Sequence, residues 1–110
     1  FEFNASSHNA IFNLKRGSTF VGRPAAAGSR ATGLQGSSMG YWDSDNDSTM
    51  DNNYFHFLDS PSTTSSITYQ VTFLNSDAGS PMFVNRTVAD TDLDSRERIT
   101  SSIVVMEVAG

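Results

Sequence analysis

A chain of 110 residues holds one domain with a single hydrophobic core and leaves no room for a second. Its net charge of -5 argues against the cationic face that non-specific binding to nucleic acid or to an anionic membrane needs. With no cysteine, disulfides, thiolate catalysis and Cys-ligated metals are excluded, and no apolar run approaches the roughly 20 residues of a membrane helix. No membrane insertion is expected, and stability has to come from packing or from assembly.

Phe1-Glu2-Phe3-Asn4 reads as the end of a strand, and no initiator methionine precedes it, so further upstream sequence is expected. Over residues 11–16, Phe12 and Leu14 alternate with Asn13 and Lys15 before Gly17-Ser18. That pattern predicts a strand, a tight turn and a returning partner over 19–22. Residues 23–38 are rich in Gly, Ala and Ser and read as a long loop. At most one helical turn is expected over 24–28, and one short strand near 29–32. A further short strand is predicted over 39–42 and a polar loop tip over 43–48. Residues 54–58 are apolar on both faces, as in a strand packed from both sides. The stretch 59–66 is turn chemistry, with Pro61 closing off the strand before it.

The last third is the most informative. In residues 67–74, Ile67, Tyr69, Val71 and Phe73 fall on one face and Thr68, Gln70 and Thr72 on the other. A period of two is the signature of a half-buried antiparallel strand. Further strands are predicted over 82–86 and 99–109. Turn signals about every 8–12 residues suit an all-β antiparallel sandwich of jelly-roll type, with its first strands expected upstream of Phe1. In the final run, Val104, Met106 and Val108 share one face, able to fill the core, while Ile103 and Val105 share the other. That second face is covered either by a neighbouring subunit or by a long loop.

Six stretches in this order carry a resemblance: FNLKRGST over 12–19, AGSRAT over 27–32, FLDSPSTTS over 57–65, TYQV over 68–71, VNRT over 84–87 followed by Asp90-Thr91-Asp92, and SSIVVMEVA over 101–109. The set resembles the C-terminal domain of virion structural proteins of marine bacteriophages, cyanophages among them. The resemblance implies a jelly roll of the C1q and tumour-necrosis-factor type, trimeric, on a fibre or capsid appendage at the virion surface. Its implied partners are its own copies and other virion proteins. Family members usually carry one or two more N-terminal strands. The stretch 41–53 departs from the pattern and is more acidic, which leaves the identity of any loop-bound ligand open.

Two sets of alternating acids, Asp43, Asp45 and Asp47 and then Asp90, Asp92 and Asp94, are of a type that wraps carboxylate oxygens around Ca²⁺. An EF-hand is excluded, because Ser48 stands where its glycine belongs and Tyr54 where its closing glutamate belongs. Solvated loop tips are the preferred reading, with Arg96 and Arg98 placed to neutralise the second set without metal. A glycosidase needs two carboxyls about one bond, one of them buried. Glu107, in an apolar run, is the sole acid of that kind, and it reads better as paired with an arginine or reaching solvent.

His8 and His56 have no partner at metal-ligand spacing, and no Gly-x-Ser-x-Gly elbow surrounds a serine. The segment 22–28 lacks the lysine and helix of a phosphate loop. No catalytic residue and no cofactor are expected, so an enzyme is not. Tyr41, Trp42, Tyr54 and Phe55 flank the acidic loop and suit a protein interface, a core or sugar stacking. Asn4, Asn46 and Asn85 match the glycosylation acceptor pattern, which carries little weight in a phage protein made in bacteria. The leading expectation is a homotrimeric virion module meeting through faces such as Ile103 and Val105. The alternative is a carbohydrate- or receptor-binding module that uses Tyr41, Trp42 and the Asp43–Asp47 loop on a host-surface glycan.

Overall fold

A computed structural model describes residues 1–3, 9–38, 50–75, 79 and 81–108. The chain is all-β: every regular element among these residues is a strand. They are β1 (Glu2–Phe3), β2 (Asn9–Arg16), β3 (Thr19–Val21), β4 (Gln35–Ser38), β5 (Tyr69–Asn75) and β6 (Met82–Phe83). β2 is the central strand. β5 runs antiparallel along one of its edges, and β3 and β4 share the other.

The predicted hairpin forms, with Leu14 opposite Val21 and Arg16 opposite Thr19. Gly17 takes a φ of 58°, which an L side chain disfavours, and Ser18 does not, the type II′ arrangement whose twist matches the flanking strands. The next strand on this edge lies at β4, beyond the stretch 29–32 where sequence placed it. Residues 24–28 form no helical turn either, and a turn closes instead from Arg30 N to Ala27 O. Gly33 explains the displacement. A Cβ there would collide with Ile11 Cγ2 and come within 2.9 Å of the Phe12 carbonyl oxygen, so glycine lets the chain close on β2 at this point. Leu34 N then donates to Phe12 O, and Gly36 sits opposite Ile11.

Residues directly opposite in an antiparallel pair point to one face. Ala10, Phe12 and Leu14 on β2 therefore share a face with Val21 on β3 and with Val71 and Phe73 on β5. The β2 and β3 members of that face are buried. Against it packs the small sheet formed by β1 and β6, with Phe1 meeting Phe12 edge-on at 5.2 Å between ring centroids. Met82 and Phe55 join the same cluster. Phe1 and Asp51 exchange two backbone hydrogen bonds of 2.8 Å, tying the segment from residue 50 to this layer. Glu2 is fully buried and accepts from Val88 N.

Three further strand expectations fail. Residues 54–58 are irregular, and Tyr54 and Leu58 are largely exposed. The strand expected over 82–86 stops at Phe83, since Asn85 turns the backbone left-handed at a φ of 64°. The strand expected over 99–109 reduces to a single bridge between Arg86 and Arg98, with Ile99 N donating to Asn85 O. From residue 100 to 108 no strand forms, although the apolar alternation is strong. A strand needs a neighbour to receive its N–H and C=O groups, and none of the described residues provides one here. The strand expected over 39–42 lies outside the described residues.

Candidate functional site: exposed apolar strand surfaces and the loops around them

Among the described residues the largest exposed features are apolar. Ile103, Val104, Val105, Met106 and Val108 are 53–80 % exposed, in a run that makes no strand pairing with described residues. β5 presents a second surface of the same kind. Its period of two is present, but Val71 and Phe73 on the core-side face and Leu74 on the other remain 44–50 % exposed, so its apolar face is not the half-buried one expected. The reason is position: β5 pairs with β2 alone, and no described residue pairs with its outer edge.

The molecule exposes 7863 Å², whereas a compact monomer of 11.9 kDa exposes about 6,000 Å². The radius of gyration, 16.3 Å, likewise exceeds the ~13 Å of a compact domain this long. The excess of roughly 1,900 Å² on one chain is more than twice the ~800 Å² that each partner of a standard protein interface buries.

At the other end of β5, sequence reasoning missed a polar clamp. Arg16 and Tyr69 are cross-strand partners, and Asp59 reaches them from the irregular segment between β4 and β5. Arg16 Nη1 donates to both Asp59 oxygens at 3.0 Å, and the Tyr69 hydroxyl donates to Oδ2 at 2.8 Å. Burial pushes the Asp59 carboxyl up, but the Tyr69 hydrogen bond, the Arg16 charge and a backbone hydrogen bond from Ser60 together hold it below its ordinary 3.8. The same bond to Asp59, with a smaller contribution from burial, raises the Tyr69 phenol. The clamp fixes the loop over the sheet end. Its only trace in the sequence is an aspartate ahead of a Ser-Pro turn.

Of the second acidic set, Asp90 is taken by arginine. Arg98 grips it through Nε at 3.0 Å and Nη2 at 2.7 Å, and Arg86 stands 4.0 Å away while stacking on Phe83. Asp92 and Asp94 are exposed, and among the described residues no three acids or histidines come together as metal ligands. Glu107 is exposed to solvent. The acceptor asparagine Asn85 takes a 2.5 Å hydrogen bond from the Ser101 hydroxyl, which ties the start of the apolar run to the sharp turn after β6. Asp43, Asp45, Asp47, Tyr41, Trp42, His8, Asn4 and Asn46 lie outside the described residues.

A shallow groove of about 400 Å³ runs between β4 and the irregular segment after residue 50. Tyr54, 88 % exposed, stands over it with His56 and three amide side chains, Gln35, Asn52 and Asn53. The Asn53 Oδ1 is buried with no hydrogen-bond partner. Exposed ring faces beside amide donors and acceptors are the furniture of a polyhydroxylated ligand.

These features define an all-β chain whose conspicuous surfaces are apolar and unpaired. Comparison with protein-family models, with curated proteins and with solved structures finds no match to it.

Proposed function

We propose that the chain is a virion structural module of a bacteriophage: a β-sandwich of jelly-roll type that assembles as a homotrimer in a fibre, tail or capsid-surface appendage. The observation that carries this reading is the exposed apolar run at 103–108, which a stable isolated monomer does not ordinarily leave in water. The packing of the small sheet of β1 and β6 onto the β2 face supports the sandwich. The ordered resemblance described above supports the virion and the threefold state. On this reading the mechanism is assembly, with Ile103 and Val105 buried between subunits and the polar loops turned outward to other virion proteins. The test is the solution mass by light scattering, with and without a chelator. A trimer that survives chelation is the expected result, and a monomer at all concentrations overturns the assembly reading.

A second reading, a carbohydrate- or receptor-binding module, is favoured by the groove at Tyr54. On this reading the described part of the site is Tyr54 with the Gln35, Asn52 and Asn53 amides, and the expected Tyr41 and Trp42 lie outside the described residues. On a glycan array, Tyr54→Ala and Trp42→Ala are each expected to remove binding while leaving the melting temperature unchanged. Binding equal to that of the parent in both variants rejects this site.

A further inference from the structure

We infer that residues 103–108 of one copy add as an antiparallel strand to the outer edge of β5 in a second copy. The inference rests on the assembly reading and specifies its contact.

The first observation is the edge itself. Gly17 N donates to Thr68 O at 2.8 Å, which fixes the alternation along the β2–β5 ladder. The main-chain groups of Gln70, Thr72 and Leu74 therefore face β2, and those of Tyr69, Val71 and Phe73 face outward. Folded proteins protect such an edge with charge, proline, a bulge or a cover. β5 reads YQVTFLN, with no charge, no proline and no glycine over seven residues. Among the described residues no strand pairs with it, and the Asp59 loop meets it at the Tyr69 end. An edge built this way is made to be paired.

The second observation is the occupant. The run at 103–106 reads IVVM, also without charge or proline, and its side chains are exposed on both faces. Six residues of strand span about 20 Å, close to the ~23 Å of a seven-residue strand such as β5. One antiparallel register places Val104, Met106 and Val108 opposite Phe73, Val71 and Tyr69. On the other face Ile103 meets Leu74, Val105 meets Thr72, and Glu107 meets Gln70, a carboxylate opposite an amide donor. A slip of one residue puts Val104 and Met106 against Thr72 and Gln70 instead. A parallel match that keeps Met106 opposite Val71 sets Ile103 against Thr68 and Val105 against Gln70, so the Ile103–Leu74 contact is lost.

The area agrees. The eight apolar residues Val71, Phe73, Leu74 and Ile103 to Met106 with Val108 expose on the order of 800 Å² per contact. Donating one segment and receiving one then buries on the order of 800 Å² of each chain, the share one partner gives to a standard interface and less than half of the roughly 1,900 Å² excess. Such a contact is heterologous, and a heterologous contact closes into a ring when its rotation allows, as a trimer requires.

The absence of native cysteine makes the test clean. In the proposed register Thr72 and Val105 form a non-hydrogen-bonded pair, where Cα atoms approach to about 4.5 Å, within disulfide reach. Thr72→Cys chains are mixed with Val105→Cys chains, oxidised and resolved by non-reducing electrophoresis, with the mass measured in parallel. The expected result is a covalent heterodimer from the mixture, with far less dimer from either variant alone. A control mixture of Thr72→Cys with Val104→Cys, whose residues point to opposite faces, is expected to stay unlinked. In the double variant Thr72→Cys/Val105→Cys, a disulfide within one chain shows that the segment docks on its own β5 and overturns the inference. A trimer whose mixture does not crosslink also overturns it but leaves the assembly reading standing. A monomer of parental mass without crosslinks removes both.

Discussion

Replacing Ile103 with aspartate separates the stability of the chain from the stability of the proposed assembly. Ile103 is 53 % exposed and lies in a run without strand partners, so in the isolated chain the substitution removes little packing. Its effect on unfolding should stay within about 0.5 kcal/mol, as for surface changes generally. In the proposed assembly roughly 100 Å² of Ile103 surface would become buried, a gain of ~2.5 kcal/mol at 25 cal/mol per Å². Aspartate forfeits that gain and adds the cost of desolvating a carboxylate opposite Leu74, at least ~1–3 kcal/mol. Each contact then loses about 4 kcal/mol, which weakens association by about three orders of magnitude. Light scattering over a dilution series reads the second effect, and thermal unfolding at concentrations where both proteins are dissociated reads the first. A variant that melts several degrees lower as an isolated chain shows that Ile103 is a core residue after all. A variant that assembles at the concentration of the parent shows that this face is not an interface. Either result refutes the reasoning.

Three further predictions test the fold. Phe12→Ala removes the ring at the centre of the buried cluster and should cost about 3–5 kcal/mol, read as a melting temperature lower by more than ~10 °C. Gly33→Ala drives a Cβ into Ile11 and the Phe12 carbonyl, and should destabilise by about 1–3 kcal/mol through loss of β4 pairing, visible as faster amide exchange at Leu34 and Gln35. Asp59 has its folded pKa depressed below 3.8, so its contribution to stability is complete above that value and is lost as pH falls through the folded one. Asp59→Asn should therefore be less stable than the parent near neutrality, with the difference shrinking in acid below pH ~4. Denaturant midpoints measured across pH check this, and a difference that stays constant into strong acid excludes the clamp as its source.

The sequence carried the elements whose signals are local. The alternation at Phe12 and Leu14 before Gly17-Ser18 determined the β2–β3 hairpin, because a two-residue turn with glycine first dictates both register and strand direction. The alternation from Tyr69 to Phe73 likewise determined that β5 is a strand. Glycine misled in the next segment. Gly33 and Gly36 read as loop residues, yet Gly33 is what admits β4 against β2, a fact about the neighbour rather than about the residue. Asp59 was legible only as a turn former, since its partners Arg16 and Tyr69 lie 43 and 10 positions away.

By itself, the sequence determined an all-β chain with two apolar alternating runs in its last third. Only the tertiary structure decided which faces of those runs are covered. Periodicity reports that a face is apolar, but burial depends on what packs against it, and on β5 and residues 103–108 none of the described residues does so fully. The apolar character of these surfaces was thus written in the residues, and their exposure became visible only in the fold.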